Sequence, residues 1–191
     1  PVNWPSFAPR YSIWARLGWK MKFPLDITSA NRQLKEKILQ TDYQVIWIEK
    51  GLTITPGTLQ TVKKLLPKAK LVSCSEDDMY ARHNQSFYYL RGLHYYDMVF
   101  TTKIYNLDEL KRLGAPRTAL MLDTYDSSFH QPLSLSQEDQ QRFGAEISFV
   151  GSFEPDRANQ MLYLADHNLP VTVWGPGWNK WLHKHPNLII K

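Results

Sequence analysis

The stretch Glu146-Ile147-Ser148-Phe149-Val150-Gly151-Ser152-Phe153-Glu154-Pro155-Asp156-Arg157 decides how this chain reads, because a short apolar run and a Gly-Ser pair lead into a helical pattern over Ala158-Asn159-Gln160-Met161-Leu162-Tyr163-Leu164. Strand, tight turn and helix in that order make an α/β unit. The turn suits an anion. Gly lets backbone N–H groups approach an oxyanion, a helix N-terminus carries partial positive charge, and Arg157 in the first turn can fork onto phosphate oxygens. An ordinary β-α connection with a surface Arg fits the same residues equally well, since a fold-level pattern does not specify a function.

Working outward, 171–174 reads as a second strand, Gly175-Pro176-Gly177-Trp178 as its turn, and 188–190 as a third strand. Upstream, 124–144 is polar, with Pro132 and a Ser-rich stretch, and reads as an interdomain connection. Before it, strands at 44–48, 70–74, 98–101 and 118–122 alternate with helices at 56–66, 85–93 and 107–113, the last closed by Gly114. Leu34, Ile38 and Leu39 give 28–40 the pattern of an amphipathic helix. Residues 1–24 are aromatic and irregular, with Trp4, Trp14 and Trp19 expected to pack onto the body. Such alternation predicts a parallel sheet with helices on both faces. The expected organisation is α/β: a Rossmann-like N-terminal domain over 1–130, a linker over 131–144, and over 145–191 the truncated start of a second Rossmann-like domain. Pro1 at one end and the cut-short strand Leu188-Ile189-Ile190-Lys191 at the other lead us to expect a segment of a longer protein.

Composition narrows the class. Of 191 residues 43% are hydrophobic and 13% aromatic, enough for a sizeable core and against disorder. No apolar run approaches the ~18 residues of a membrane span, and no basic segment followed by an apolar one opens the chain, so a soluble cytoplasmic protein is expected. The lone Cys74 cannot form an intramolecular disulfide and, ending an apolar strand, reads as a core residue rather than a nucleophile. A net charge of +5 favours an anionic ligand. Nucleic acid is a rival partner, yet Lys63-Lys64 and Lys111-Arg112 read as solvated helix faces rather than a binding stripe.

In open parallel sheets ligands bind beyond the carboxyl ends of the strands. The residues there are Glu49-Lys50-Gly51, Ser75-Glu76-Asp77-Asp78, Thr102-Lys103, Asp123-Thr124-Tyr125-Asp126, Gly151-Ser152 and Gly175-Pro176-Gly177. The densest run is Glu76-Asp77-Asp78-Met79-Tyr80-Ala81-Arg82-His83-Asn84-Gln85-Ser86, where a carboxylate near a His can act as base or orient the imidazole. The same residues can instead serve the start of the next helix, with Asn84 or Ser86 as cap. A metal is the weaker alternative, whether at Asp77-Asp78, which only loosely matches an Asp-x-Asp pair, or at His183-Lys184-His185.

Several ordered motifs carry a resemblance. Val45-Ile46-Trp47-Ile48-Glu49-Lys50-Gly51, Ser75-Glu76-Asp77-Asp78-Met79, His83-Asn84-Gln85-Ser86, Tyr96-Asp97-Met98-Val99-Phe100-Thr101-Thr102-Lys103 and Phe149-Val150-Gly151-Ser152 are similar to the spore maturation protein CgeB family, glycosyltransferase-like proteins of GT-B architecture. The likeness runs from about residue 42 to residue 178. It implies two Rossmann-like domains facing across a cleft. A nucleotide-sugar donor of UDP or GDP type would be held mainly by the C-terminal domain, and the acceptor, a glycan, protein or small molecule, would meet the N-terminal one. Gly151, Ser152 and Arg157 would meet the diphosphate, with Gly175 and Gly177 on the same rim. Lys103 and Arg157 would stabilise the leaving group, and Asp77, Asp78 or His83 would be the base if the reaction inverts configuration. No cofactor and no metal are expected. The acidic residue that grips the donor ribose in similar enzymes would lie past Lys191. Two other classes remain open: a non-catalytic GT-B-like binder of a glycan or partner protein, and a nucleotide- or nucleic-acid-binding α/β module.

Overall fold

The computed structural model describes residues 13–181 and 185–191. The chain divides into two compact units, Pro1–Tyr125 and Asp126–Lys191. Trp4, His183 and Lys184 lie outside the described residues.

The first unit contains α1 (Ile13–Lys20), α2 (Ala30–Gln40), β1 (Val45–Glu49), α3 (Pro56–Leu65), β2 (Lys70–Ser75), α4 (Phe87–Gly92), β3 (Met98–Thr101), α5 (Asn106–Arg112) and β4 (Thr118–Leu120). Local chemistry sets the helix ends. Asp26 accepts from the N–H groups of Ala30 and Asn31 at 2.7 and 2.9 Å to open α2. Thr55, followed by Pro56, accepts from Thr58 N–H to open α3, and Ser86 Oγ accepts from Tyr89 N–H at 3.0 Å to open α4. Gly114, at φ 108°, closes the α5 region, its N–H donating to the Lys111 carbonyl.

The four strands are parallel and lie in the order β1-β2-β3-β4, with Ile48, Ser73, Val99 and Thr118 in register. The order never reverses. Residues in register share a face, so Ile46, Ile48, Leu71 and Val99 look the same way. They form one buried cluster with Ile38 of α2, Leu59 and Val62 of α3, Tyr89 of α4, Leu110 of α5, and Leu93. The expectation of helices on both faces is therefore corrected: α2 to α5 share a single layer. The reason is chirality, because right-handed crossovers that all step in one direction lay their helices on one side. On the opposite face Val45 and Trp47 are exposed, Trp47 stacks on Phe100 at 5.7 Å, and Val72 and Cys74 are buried. Cys74 is thus a core thiol, and burial, then the charges of Glu49, Glu76 and Asp123, push its pKa up.

The N-terminal region also departs from expectation. Where an irregular segment was expected, Ile13–Lys20 is helical, and Trp14 is exposed while Trp19 packs against the core.

The second unit contains α6 (Gln137–Phe143), β5 (Ile147–Val150), α7 (Pro155–Asp166), β6 (Val171–Trp174) and β7 (Leu188–Ile190), with the strands parallel in the order β5-β6-β7. α6 falls inside the stretch expected as linker, and Ser136 caps it by accepting from Asp139 N–H at 3.0 Å. Val171, Val173 and Leu188 bury against Ala158 and Ala165 of α7 and against Trp178, with Ile147 and Phe149 packed alongside. Among the described residues no helix is long and apolar enough to cross a membrane.

Candidate functional site

At the carboxyl edge of the first sheet, β1 ends in two consecutive residues of left-handed conformation, Lys50 at φ 58° and Gly51 at φ 57°. Gly is suited to the second, since a Cβ there would come 2.9 Å from Ile48 Cγ2. This turn, tied down by Lys50 N–H donating to the Cys74 carbonyl at 2.7 Å, sends Lys50 Nζ onto the carboxylate of Asp77, beyond the end of β2. Both side chains are a little over two-fifths exposed, so the pair is wet and its charges reach solvent. Asp77 is fixed from behind as well, its N–H donating to Ser75 Oγ at 3.1 Å.

Asp78 has a different role. Its Oδ1 accepts from Tyr80 N–H at 3.0 Å, Ala81 N–H at 3.1 Å and Asn106 Nδ2 at 2.9 Å. Burial pushes its carboxyl up, but the hydrogen bonds from Asn106, Ala81 and Tyr80 and the charge of His83 outweigh it, and its pKa lies below the ordinary value. A carboxylate so stabilised is a weak base. Asn106 is the hub: fully buried, it also donates to Glu109 Oε2 at 2.8 Å and accepts from Met79 N–H at 3.1 Å. Asn84 and Gln85 donate to the carbonyls of Asp78, Met79 and Tyr80, completing a loop pinned by the Asp78 carboxylate and three side-chain amides.

His83 is exposed on a 3-10 turn, Arg82–Asn84, and its carbonyl accepts from Lys22 Nζ at 3.3 Å. Lys103 is half-buried after β3, its N–H donating to Thr101 Oγ1 at 3.1 Å. The structure therefore joins Asp77 to Lys50 and Asp78 to Asn106. Capping falls to Ser86, one of the two residues considered for it. Asn106 was missed, because a lone Asn 28 residues from its partner leaves no spacing to read.

In the second unit the β5–α7 turn is built on shape. Gly151 N–H donates to the Trp174 carbonyl at 2.9 Å, and the Gly151 carbonyl accepts from the fully buried Trp178 indole at 2.8 Å. Gly175, at φ 139°, passes so near that a Cβ would collide with the Gly151 carbonyl, and Gly177, at φ 91°, brings its Cα beside Phe153. The N–H of Gly151 is thus spent inside the fold. Beyond it, Ser152 is exposed and α7 opens with Pro155 and with no side-chain cap. Arg157 lies over this opening, paired with Glu154 at 3.1 Å and within 3.4 Å of the Ser152 carbonyl. The guanidinium and the uncapped helix start are what an anion would meet.

Among the described residues no three His, Cys, Asp or Glu side chains gather as a metal site would require. Compared with protein-family models the chain finds no match, and compared with curated proteins it finds none.

Proposed function

We propose that this chain belongs to a glycosyltransferase of GT-B type, moving a sugar from a UDP- or GDP-linked donor to an acceptor hydroxyl. One observation carries the reading: the chain holds two successive parallel α/β units, the first ending its strands in carboxylates and a lysine, the second opening a helix beneath an arginine. In this reading Arg157 and the start of α7 neutralise the diphosphate as it leaves, with Ser152 alongside and Lys103 adding charge, a contribution of several kcal/mol. Gly151, Gly175 and Gly177 act by giving the turn its shape. Asp77 is the better base of the two aspartates, since Asp78 already serves its own loop and its pKa is depressed.

The experiment is transfer from radiolabelled nucleotide-sugars by the protein at its natural length, with and without EDTA and with Mn²⁺ or Mg²⁺ added back. Turnover that survives EDTA and falls at least about a hundredfold in Asp77→Asn supports the reading, the usual scale for losing a general base. Loss to EDTA with rescue by metal would overturn the metal-free mechanism. Asp78's hydrogen-bond load favours a second reading, a non-catalytic glycan or partner binder; donor binding without any transfer or hydrolysis would select it.

A further inference from the structure

We propose that α1 and the strap after it, residues 13–27, form a docking surface for a bilayer carrying anionic headgroups. The proposal is independent of the transferase reading.

α1 turns Ala15 and Trp19 inward. Its outward side carries Ile13, exposed to 76%, Trp14, exposed to 69%, and Leu17, and Met21, just past its end, continues the helical path by donating its N–H to the Leu17 carbonyl at 2.9 Å. At about 100° per residue these four fall within an arc of about 100°, a continuous apolar stripe. The chain then folds back along the helix. Phe23 N–H donates to the Gly18 carbonyl at 2.8 Å, and a Cβ on Gly18 would come 2.6 Å from the Phe23 oxygen, so only Gly admits the strap there. Phe23, Leu25 and Ile27 in the strap are exposed too, and Phe23 rests on the ring of Phe87 at 4.6 Å. The apolar surface thus continues off the helix.

Charge decides what covers it. Arg16 and Lys20 border the stripe on the Ile13 side, Lys22 follows the helix, and Arg91 lies over Phe87 at 4.9 Å. Asp26 is the one Asp or Glu within residues 13–27, and its carboxylate is taken up by the Ala30 and Asn31 N–H groups at the start of α2. A second copy of the same surface would set cation against cation, which is repulsive. An anionic bilayer matches all of it: aliphatic chains and a Trp at the headgroup level, with long-stemmed Arg and Lys reaching back to phosphates.

The test is co-sedimentation of the chain with phosphatidylcholine vesicles, with and without phosphatidylglycerol. Binding should appear with the anionic vesicles, weaken as salt is raised, and fall about tenfold or more in Arg16→Glu/Lys20→Glu, two positive charges near a surface being replaced by negative ones. Trp14→Ala should weaken it several-fold with the circular dichroism unchanged, because that side chain touches solvent rather than core. If a variant misfolds, the salt dependence of the unaltered chain still decides. No binding, equal binding to neutral and anionic vesicles, or the same substitutions instead abolishing self-association or binding to an acidic polypeptide would overturn the proposal.

Discussion

The two strand-end loops that carry the candidate residues, one in each unit, are held by opposite means. In the first unit the loop after β2 hangs on polar groups: Asp78, Asn84, Gln85 and Asn106 exchange hydrogen bonds with backbone and with one another. In the second, the turn after β5 is held by a ring and by two glycines, Trp178 filling the space below Gly151 while Gly175 and Gly177 let the backbone close over it. A loop held by hydrogen bonds spends its carboxylate on its own architecture, whereas a loop held by packing leaves its charged residues at liberty. Arg157 is accordingly the more available group, its companions being an exposed Glu154 and Ser152.

The sharpest way to break this comparison is Trp178→Ala. The side chain is fully buried, its indole N–H reaches the Gly151 carbonyl, and its ring meets Phe149 and Phe153 edge-on at 5.9 and 5.4 Å. Removing it should cost about 3–5 kcal/mol, the range for deleting a large buried aromatic. A unit with so few fully buried residues should then melt separately from the first, visible as a low-temperature transition in calorimetry. A single unshifted transition would mean that the turn is not held by packing.

The polar loop should break more gently. Asn106→Ala leaves the Met79 N–H without its acceptor and Asp78 Oδ1 short of one donor, at a cost of about 1–3 kcal/mol by denaturant unfolding near neutral pH. Part of that cost depends on pH. Asp78 has a folded pKa below its unfolded one, so its contribution is present above the unfolded value, about 4, and fades as pH falls through the folded value. The difference between Asn106→Ala and the unaltered chain should therefore shrink in acid. A pH-independent difference would assign the whole effect to packing.

The contrast also separates what the residues announce from what they conceal. The strands at 98–101 and 171–174 match β3 and β6 end to end, because β-branched and apolar runs bounded by polar turns are local signals. α6 was less visible, although Ser136 three residues before Asp139 is a start signal of the capping kind. α1 was missed although its apolar residues recur at helical spacing, because it is only eight residues long and holds a Gly at position 18. The single helix layer lies beyond periodicity altogether, since period tells that a helix has a buried side and not which face of a sheet it crosses. At the site, placing Asp77 and Asp78 after β2 needed only the strand-end rule. Their division of labour depended on Lys50 and Asn106, long-range partners that no local pattern names.

Arg157→Ala is the smallest change in stability and the most informative about chemistry. The side chain is about two-fifths exposed and its partner Glu154 more so, and such an ion pair is worth about 0.2–1 kcal/mol at most after solvent screening. Stability should consequently fall by less than about 1 kcal/mol. If the guanidinium meets the donor diphosphate, nucleotide-sugar affinity measured by calorimetry should fall by about 1–3 kcal/mol, a loss out of proportion to the change in fold. Glu154→Ala supplies the control, because removing the competing carboxylate frees the guanidinium for an anion and should leave affinity equal or higher. A loss of affinity in both variants, tracking a loss of stability, would mean that the ion pair holds the start of α7 in place; the second turn would then spend its charges on its own architecture just like the first, and the contrast between the two would collapse.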